Sequence, residues 1–71
     1  MRDEWDDAIE EYTKALELED DWVIAHYERG ELYKRQGKNP DAIADFEKVI
    51  SLSRDRETLK PAHRHIEELK K

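Results

Sequence analysis

Cysteine is absent from this 71-residue chain, and glycine and proline occur only twice each. Without cysteine there is neither a disulfide nor a thiolate metal site, so packing alone must offset a backbone entropy cost of roughly 1 to 2 kcal/mol per residue. A chain this short builds one small core, which favours local contacts between helices. The lack of cysteine also fits a reducing compartment, and we expect a cytoplasmic protein.

Basic residues are outnumbered, with 13 lysines and arginines against 19 acidic residues and a formal net charge of -6. Nucleic acids and anionic membranes bind mainly through clustered lysine and arginine, so the sequence favours neither partner. Long apolar runs are missing too, since none approaches the roughly 20 residues that span a bilayer. The acidic start MRDEWDD resembles neither a signal peptide nor a transit peptide. We therefore expect a soluble protein whose partners are proteins or peptides.

Motifs for catalysis and metal binding are scarce. The chain has no glycine-rich phosphate loop, no HExxH motif and no serine beside a suitable base. His63 and His65 are two positions apart, so on a helix they point about 200° away from each other, whereas chelating pairs are spaced by three or four. His26 is interpreted as a packing histidine, and the acidic run RDEWDD lacks the glycine turn of a calcium loop. We predict no catalytic residue, no metal site and no cofactor.

Apolar residues recur at helical spacing in four segments, and no segment alternates with the period of a strand. The spacing predicts helices at about 4–18, 22–36, 40–53 and 58–70. The predicted buried stripes are Trp5, Ala8, Ile9, Tyr12, Ala15 and Leu16 in the first helix; Trp22, Ala25, His26, Gly30, Leu32, Tyr33 and in part Arg29 in the second; Ala42, Ile43, Phe46, Val49 and Ile50 in the third; and Leu59, Ala62, Ile66 and Leu69 in the fourth. Short connections predict an all-α fold, an antiparallel array of four helices in a single domain, 1–71.

The clearest boundary between two of these segments is QGKNPD, residues 36–41. Gly37 suits the left-handed position just after a helix, and Pro40 suits the first helical position of the next one. Predicted N-caps are Asp20 or Asp21 for the second helix, Asn39 for the third and Thr58 for the fourth.

One phrase occurs twice: DAIEEYTKALEL at 7–18 returns as DAIADFEKVISL at 41–52, a step of 34 positions. The apolar stripe is kept in register, with Ala8 matched by Ala42 and Tyr12 matched in shape by Phe46. Exposed positions differ between the two copies. Repetition at this period is typical of a helical solenoid.

The chain here resembles the tetratricopeptide repeat family. Residues 23–56 are similar to one whole 34-residue unit, in which Gly30 and Ala42 occupy the small-residue positions and Tyr33 and Phe46 the aromatic ones. Residues 5–20 resemble the second helix of a preceding unit. The fourth helix lacks the pattern and resembles the polar-backed terminal helix that covers the last apolar face of a solenoid. The resemblance implies an α-solenoid and a non-enzymatic protein-interaction module.

Members of this family bind peptides or partner helices in a concave groove, and the resemblance implies which residues line it here. They are Ile24, Tyr27, Glu28, Glu31, Lys34 and Arg35. The family's carboxylate-clamping variety has lysine and asparagine at several of these places, so we do not expect capture of an acidic C-terminus. A ligand would instead be basic or amphipathic beside Glu28 and Glu31, with its acidic part near Lys34 and Arg35.

A second hypothesis concerns the first helix, whose outer side has no partner in the pattern. Trp5 and Tyr12 would then be partly exposed and would support self-association into a homo-oligomer. In this alternative the chain is an engineered or excised repeat scaffold without a ligand of its own.

Overall fold

Four helices, arranged one after another, make up the fold in the computed structural model, which describes residues 3–71. They are α1 (Glu4–Leu18), α2 (Val23–Arg35), α3 (Asn39–Leu52) and α4 (Arg56–Leu69). Met1 and Arg2, which belong to the predicted domain and to the acidic start, lie outside the described residues. Residues 3–71 contain no strand, so the all-α prediction is confirmed. Each helix packs mainly against its neighbours in the chain.

The two aspartate caps explain where α1 and α4 begin. Asp3 accepts a hydrogen bond from the backbone N–H of Asp6 at 2.8 Å, and Asp55 accepts one from Glu57 at 3.0 Å. Thr58 was predicted to cap α4, which is wrong. Because the Asp55 carboxylate reaches the first free N–H groups, α4 starts two residues earlier, and the Thr58 hydroxyl donates to Asp55 from inside the first turn at 3.3 Å.

The other two helices begin without a side-chain cap, so the predicted caps there are also wrong. Trp22 is the N-cap of α2, while Asp20 and Asp21 lie in the preceding turn. Lys38 is the N-cap of α3. Asn39 is already helical, because Pro40 presets the first turn around it.

Trp22 corrects a second expectation, since its side chain is 48% exposed and not part of the buried stripe. A residue at the N-cap lies before the first turn, so its side chain does not share the inward direction of the helix face. Val23, the first helical residue, packs against the core in its place.

Gly37 ends the α2 segment in the left-handed conformation, with φ of 76°, as predicted. Its N–H donates to the Lys34 carbonyl at 3.1 Å, and the N–H of Lys38 donates to the Tyr33 carbonyl at 2.9 Å. These bonds satisfy the last carbonyls of α2 and turn the chain into α3 within three residues.

The core is centred on α3, which lies between α2 and α4. The buried apolar residues of this core are Ala42, Phe46 and Val49 from α3 and Ala62 and Ile66 from α4. Gly30 lets α2 approach closely, because a β-carbon there would lie 3.1 Å from the Phe46 ring and 3.3 Å from the β-carbon of Asp45. The small residue therefore sets the spacing between α2 and α3.

Equivalent positions of the two repeat copies differ in burial. Ala42 is fully buried, whereas Ala8 is only partly buried, and Leu16 is the one residue of α1 that is buried outright. The cause is the number of neighbours: α3 has a helix on either side, while α1 packs chiefly against α2 among the described residues.

One face of the fourth helix is exposed at positions whose counterparts in α2, 34 residues earlier, are buried or partly buried. In α2, the residues that contact α3 include His26, Arg29, Gly30 and Tyr33. Their counterparts 34 positions later are Lys60, His63, Arg64 and Glu67, and all four are exposed. Ala62 and Ile66 meanwhile pack onto α3. α4 therefore packs an apolar face onto α3 and exposes a polar face, which agrees with the polar-backed helix predicted from the sequence.

Candidate interaction groove

A cleft of about 310 Å³ opens between the N-terminal halves of α2 and α4, and we call it the α2–α4 groove. It is lined by Val23, Ile24, Tyr27, Glu28, Glu31, Glu57, Thr58 and Pro61. Four of the six residues predicted from the sequence lie here, all of them on α2. The three residues from α4 were not predicted, because α4 lacks the repeat pattern that located the others.

The floor of the groove is apolar and sits directly on the core. Ile24 is 62% exposed, while Val23 and Tyr27 are partly buried against core residues. The Tyr27 ring meets Phe46 edge to face at a centroid distance of 5.4 Å. Burial, and then the charge of Glu31, raise the pKa of the Tyr27 phenol, so it stays neutral near pH 7. Tyr27 is thus a fixed, uncharged part of the floor.

Three glutamates form the rim. Glu28 accepts a hydrogen bond from the Tyr12 hydroxyl, which ties the α2 wall to α1. This bond, followed by burial and the Glu28 charge, raises the pKa of Tyr12. Glu31 lies three residues further on the same face, with its Oε2 3.9 Å from Nε2 of His65. Glu57 stands on the opposite wall, in the first turn of α4, and its carboxylate has no partner within residues 3–71.

Lys34 and Arg35, the two cations predicted for the groove, do not line it and lie in a separate cleft with Glu31 and His65. The Lys34 ammonium donates to Oε2 of Glu68 at 2.7 Å and to Nδ1 of His65 at 2.9 Å. The hydrogen bond that Lys34 donates to Glu68, and then the charge of Lys34, lower the pKa of Glu68. Lys34 is therefore neutralised by α4, whereas Arg35 remains exposed.

His65 connects this separate cleft to the core. Its ring stacks on Phe46 at 4.6 Å with an interplanar angle of 12°. Burial, and then the charge of Lys34, lower the pKa of His65 below its ordinary value of 6.5. Because Nδ1 accepts from Lys34, the neutral ring carries its proton on Nε2, on the side of Glu31. His63, two residues earlier, is exposed.

Trp5 and Tyr12, predicted for self-association, lie together in a second cleft between α1 and α2. Its lining is Trp5, Ala8, Tyr12, Glu28, Glu31, Leu32 and Arg35. Trp5 is 39% exposed, and Tyr12 is partly buried. Glu28 and Glu31 therefore border both clefts.

A buried polar cluster around Asp45 was missed by sequence reasoning. Arg29 donates two hydrogen bonds to the Asp45 carboxylate, both at 2.8 Å, and a third to Thr13 at 3.2 Å. His26 is buried, as predicted, with Nδ1 3.1 Å from Asp45 and Nε2 2.8 Å from the Asp20 carbonyl. The hydrogen bonding of the Arg29 guanidinium to the Asp45 carboxylate, which accepts, raises the pKa of Arg29. The signal for this cluster was Arg29, an arginine on a buried face that requires an acidic partner.

The described residues carry few features of other kinds of site. Residues 3–71 contain no group of three histidine or acidic side chains placed to hold a metal ion. None of the four helices in this range has the length and apolar content required to cross a bilayer.

Two family models match the chain, in agreement with the geometry of the fold. One, described as "TPR repeat", covers residues 2–37, and the other, "Tetratricopeptide repeat", covers residues 23–56. The chain belongs to the tetratricopeptide repeat family, as the resemblance predicted. Repeats of this family generally form a non-enzymatic fold that mediates protein–protein interactions.

Similar curated proteins are much longer than this chain. A 52-residue stretch, 73% of the chain and 10% of the relative, is 35% identical to DnaJ homolog subfamily C member 7 of Homo sapiens. DnaJ homolog subfamily C member 3 of Gallus gallus is 39% identical over 49 residues, 69% of the chain and 10% of the relative. Sperm-associated antigen 1 of Mus musculus is 35% identical over 63 residues, 89% of the chain and 7% of the relative. No solved structure matches the chain significantly.

Proposed function

We propose that this chain binds a peptide or a partner helix in the α2–α4 groove. The observation that carries the proposal is the apolar floor left open there, with Ile24 62% exposed beside Tyr27 and Pro61. Covering one large aliphatic side chain contributes about 1.5 to 3 kcal/mol. A groove of this kind therefore gains affinity from an apolar residue of the ligand.

Five of the six predicted residues have a role in this proposal. Ile24 and Tyr27 contact the apolar part of the ligand, and Glu28 and Glu31 attract its positively charged groups. Arg35 is available to an acidic group further along, since Lys34 is already held by Glu68 and His65. The partner binds by complementarity of shape and charge, and no covalent step is involved.

Ile24→Asp tests the groove with little risk to the fold, because the side chain is mostly exposed. We expect this variant to lose the peptides that the parent chain captures on a peptide array. Leu18→Asp is the matched control, since Leu18 is 87% exposed but lies outside the groove. Equal capture by the parent and Ile24→Asp would contradict the groove. The double variant Tyr27→Ala and Glu31→Lys should lose binding as well.

Self-association is the second candidate, and the exposed ring of Trp5 favours it. In that case the chain is a repeat scaffold whose occupied surface is the cleft between α1 and α2. Light scattering over a range of concentrations should show an oligomer that Trp5→Asp abolishes. A monomer at every concentration would leave peptide binding as the function.

A further inference from the structure

We infer that the occupant of the α2–α4 groove is a cationic segment with an apolar residue at its centre, flanked on both sides by lysine or arginine. This inference rests on the proposed function and specifies its ligand. It depends on three features of the described residues: the charge of the rim, the distribution of that charge over two walls, and the size of the floor.

The rim has a single sign of charge. The residues that line the groove include three glutamates and no lysine or arginine. Lys34, which lies further along α2, forms an ion pair with Glu68 at 2.7 Å. Arg64 of α4 acts electrostatically on Tyr27, but it is exposed and does not line the groove. The potential over the floor is therefore negative, which attracts a cation and repels an acidic peptide.

The charges lie on both sides of the apolar floor. Glu28 and Glu31 belong to the α2 wall, and Glu57 belongs to the α4 wall. Glu28 is held in place by the Tyr12 hydroxyl, so part of the rim is already oriented before a ligand arrives. The carboxylate of Glu57 has no partner within residues 3–71 and is open to one from a ligand. This arrangement matches cations on either side of the apolar residue.

The floor accommodates one large side chain. A cleft of about 310 Å³ is at the small end of the range of roughly 300 to 1,000 Å³ for ligand pockets. Ile24, Tyr27 and Pro61 provide its apolar contacts. A leucine-sized or aromatic side chain covers them, while a ligand made only of charged residues leaves them exposed to water.

Three fluorescein-labelled synthetic peptides test the inference by fluorescence anisotropy with the full chain. The first has a central leucine between two lysine pairs. The second replaces every lysine with glutamate, and the third replaces the leucine with serine. We expect the first to bind, with an affinity that falls as salt rises, and the other two to bind at least about fivefold more weakly.

Single variants then assign the effect to the rim. Glu28→Gln, Glu31→Gln and Glu57→Gln should each weaken binding of the lysine peptide by about two- to fivefold, the range for exposed charge pairs. Glu47→Gln is the matched control, because Glu47 is an exposed glutamate of α3 that does not line the groove. Circular dichroism checks that every variant remains helical.

The outcomes separate this inference from the proposed function. Binding of the glutamate peptide in preference to the lysine peptide would overturn the charge inference and leave the groove intact, as would equal affinity for both. Binding of none of the three peptides would also overturn it. The groove itself would fail only if Ile24→Asp left capture on the peptide array unchanged.

Discussion

Asp45 shows how one side chain holds several elements of this small protein together. Its carboxylate is buried and accepts hydrogen bonds from Arg29, which also reaches Thr13 of α1. His26 joins the same carboxylate to the turn that carries Asp20. A buried charge of this kind is tolerated because every one of its partners is present.

Asp45→Asn should therefore destabilise the fold strongly. The amide leaves Arg29 partly buried without an opposite charge, and we expect a loss of about 3 kcal/mol in the free energy of unfolding. Urea denaturation followed by circular dichroism measures it. Asp41→Asn, at an exposed position of the same helix, should change stability by less than about 0.5 kcal/mol. Similar losses in the two variants would contradict the role given to the cluster.

Gly30→Ala tests the close approach of α2 to α3. Alanine favours a helix by about 1 kcal/mol over glycine, but the new methyl group would lie 3.1 Å from a Phe46 ring that is fully buried. Since overpacking costs about 1 to 3 kcal/mol, we expect a net loss of stability in urea denaturation. In a Phe46→Leu background the same substitution should cost less, because the obstructing ring is gone. An unchanged cost there would place the strain elsewhere.

Stability should fall as the pH drops below about 6.5, partly because of His65. The folded chain lowers the pKa of this ring, so the unfolded chain binds its proton first, and protonation draws the equilibrium toward unfolding. The contribution of His65 to the free energy of unfolding is fully present above the unfolded pKa of 6.5. It is lost as the pH falls through the lower pKa of the folded chain. His65→Phe keeps a ring against Phe46 but cannot titrate. Urea denaturation at about pH 7.5 and pH 5.5 should show a smaller decrease for this variant, and parallel decreases would exclude His65 as the cause.

Apolar residues were more predictable from the sequence than polar ones. Ala42, Phe46 and Val49 follow from helical spacing, since burial of apolar surface dominates the free energy of folding. Asp45 was not predicted, because an acidic residue in a helix is ordinarily exposed and its partner Arg29 is 16 positions away. Which charges meet inside the fold depends on how two helices pack, and spacing along one helix does not reveal it.

The starts of the helices depend on single hydrogen bonds, which a sequence pattern ranks poorly. Asp55, Thr58, Asp20 and Asn39 are all good cap residues, but the structure uses only Asp55 in this role. The contribution of α4 to the groove was hidden for a related reason. Glu57, Thr58 and Pro61 form a wall only because Ala62 and Ile66 pack α4 onto α3.

Asp55→Ala should cost about 1 kcal/mol, since it removes the acceptor for the N–H of Glu57 and the partner of Thr58. Asp20→Ala and Asp21→Ala should show no capping loss, because neither side chain caps α2. Thermal unfolding of the three variants measures the difference. A larger loss for Asp21→Ala than for Asp55→Ala would contradict the assignment of caps.

At the scale of the whole molecule, contacts run from each helix to the next, as in a solenoid. Stability is then expected to vary along the array. α3 has partners on two sides, whereas Leu16 is the one buried residue of α1. Amide hydrogen exchange should therefore be slowest in α3 and fastest in α1 among the four helices. Equal protection of α1 and α3 would show that the chain opens as one cooperative unit.

The exposed side chain of Arg64 bears on how an array of this kind could be lengthened. Arg64 stands 34 positions after Gly30. At Gly30 even one methyl group would press on the Phe46 ring. A helix added behind α4 by protein engineering would meet a guanidinium where it requires empty space. Grafting another unit there therefore requires glycine in place of Arg64, together with changes at 60, 63 and 67, whose counterparts in α2 contact α3.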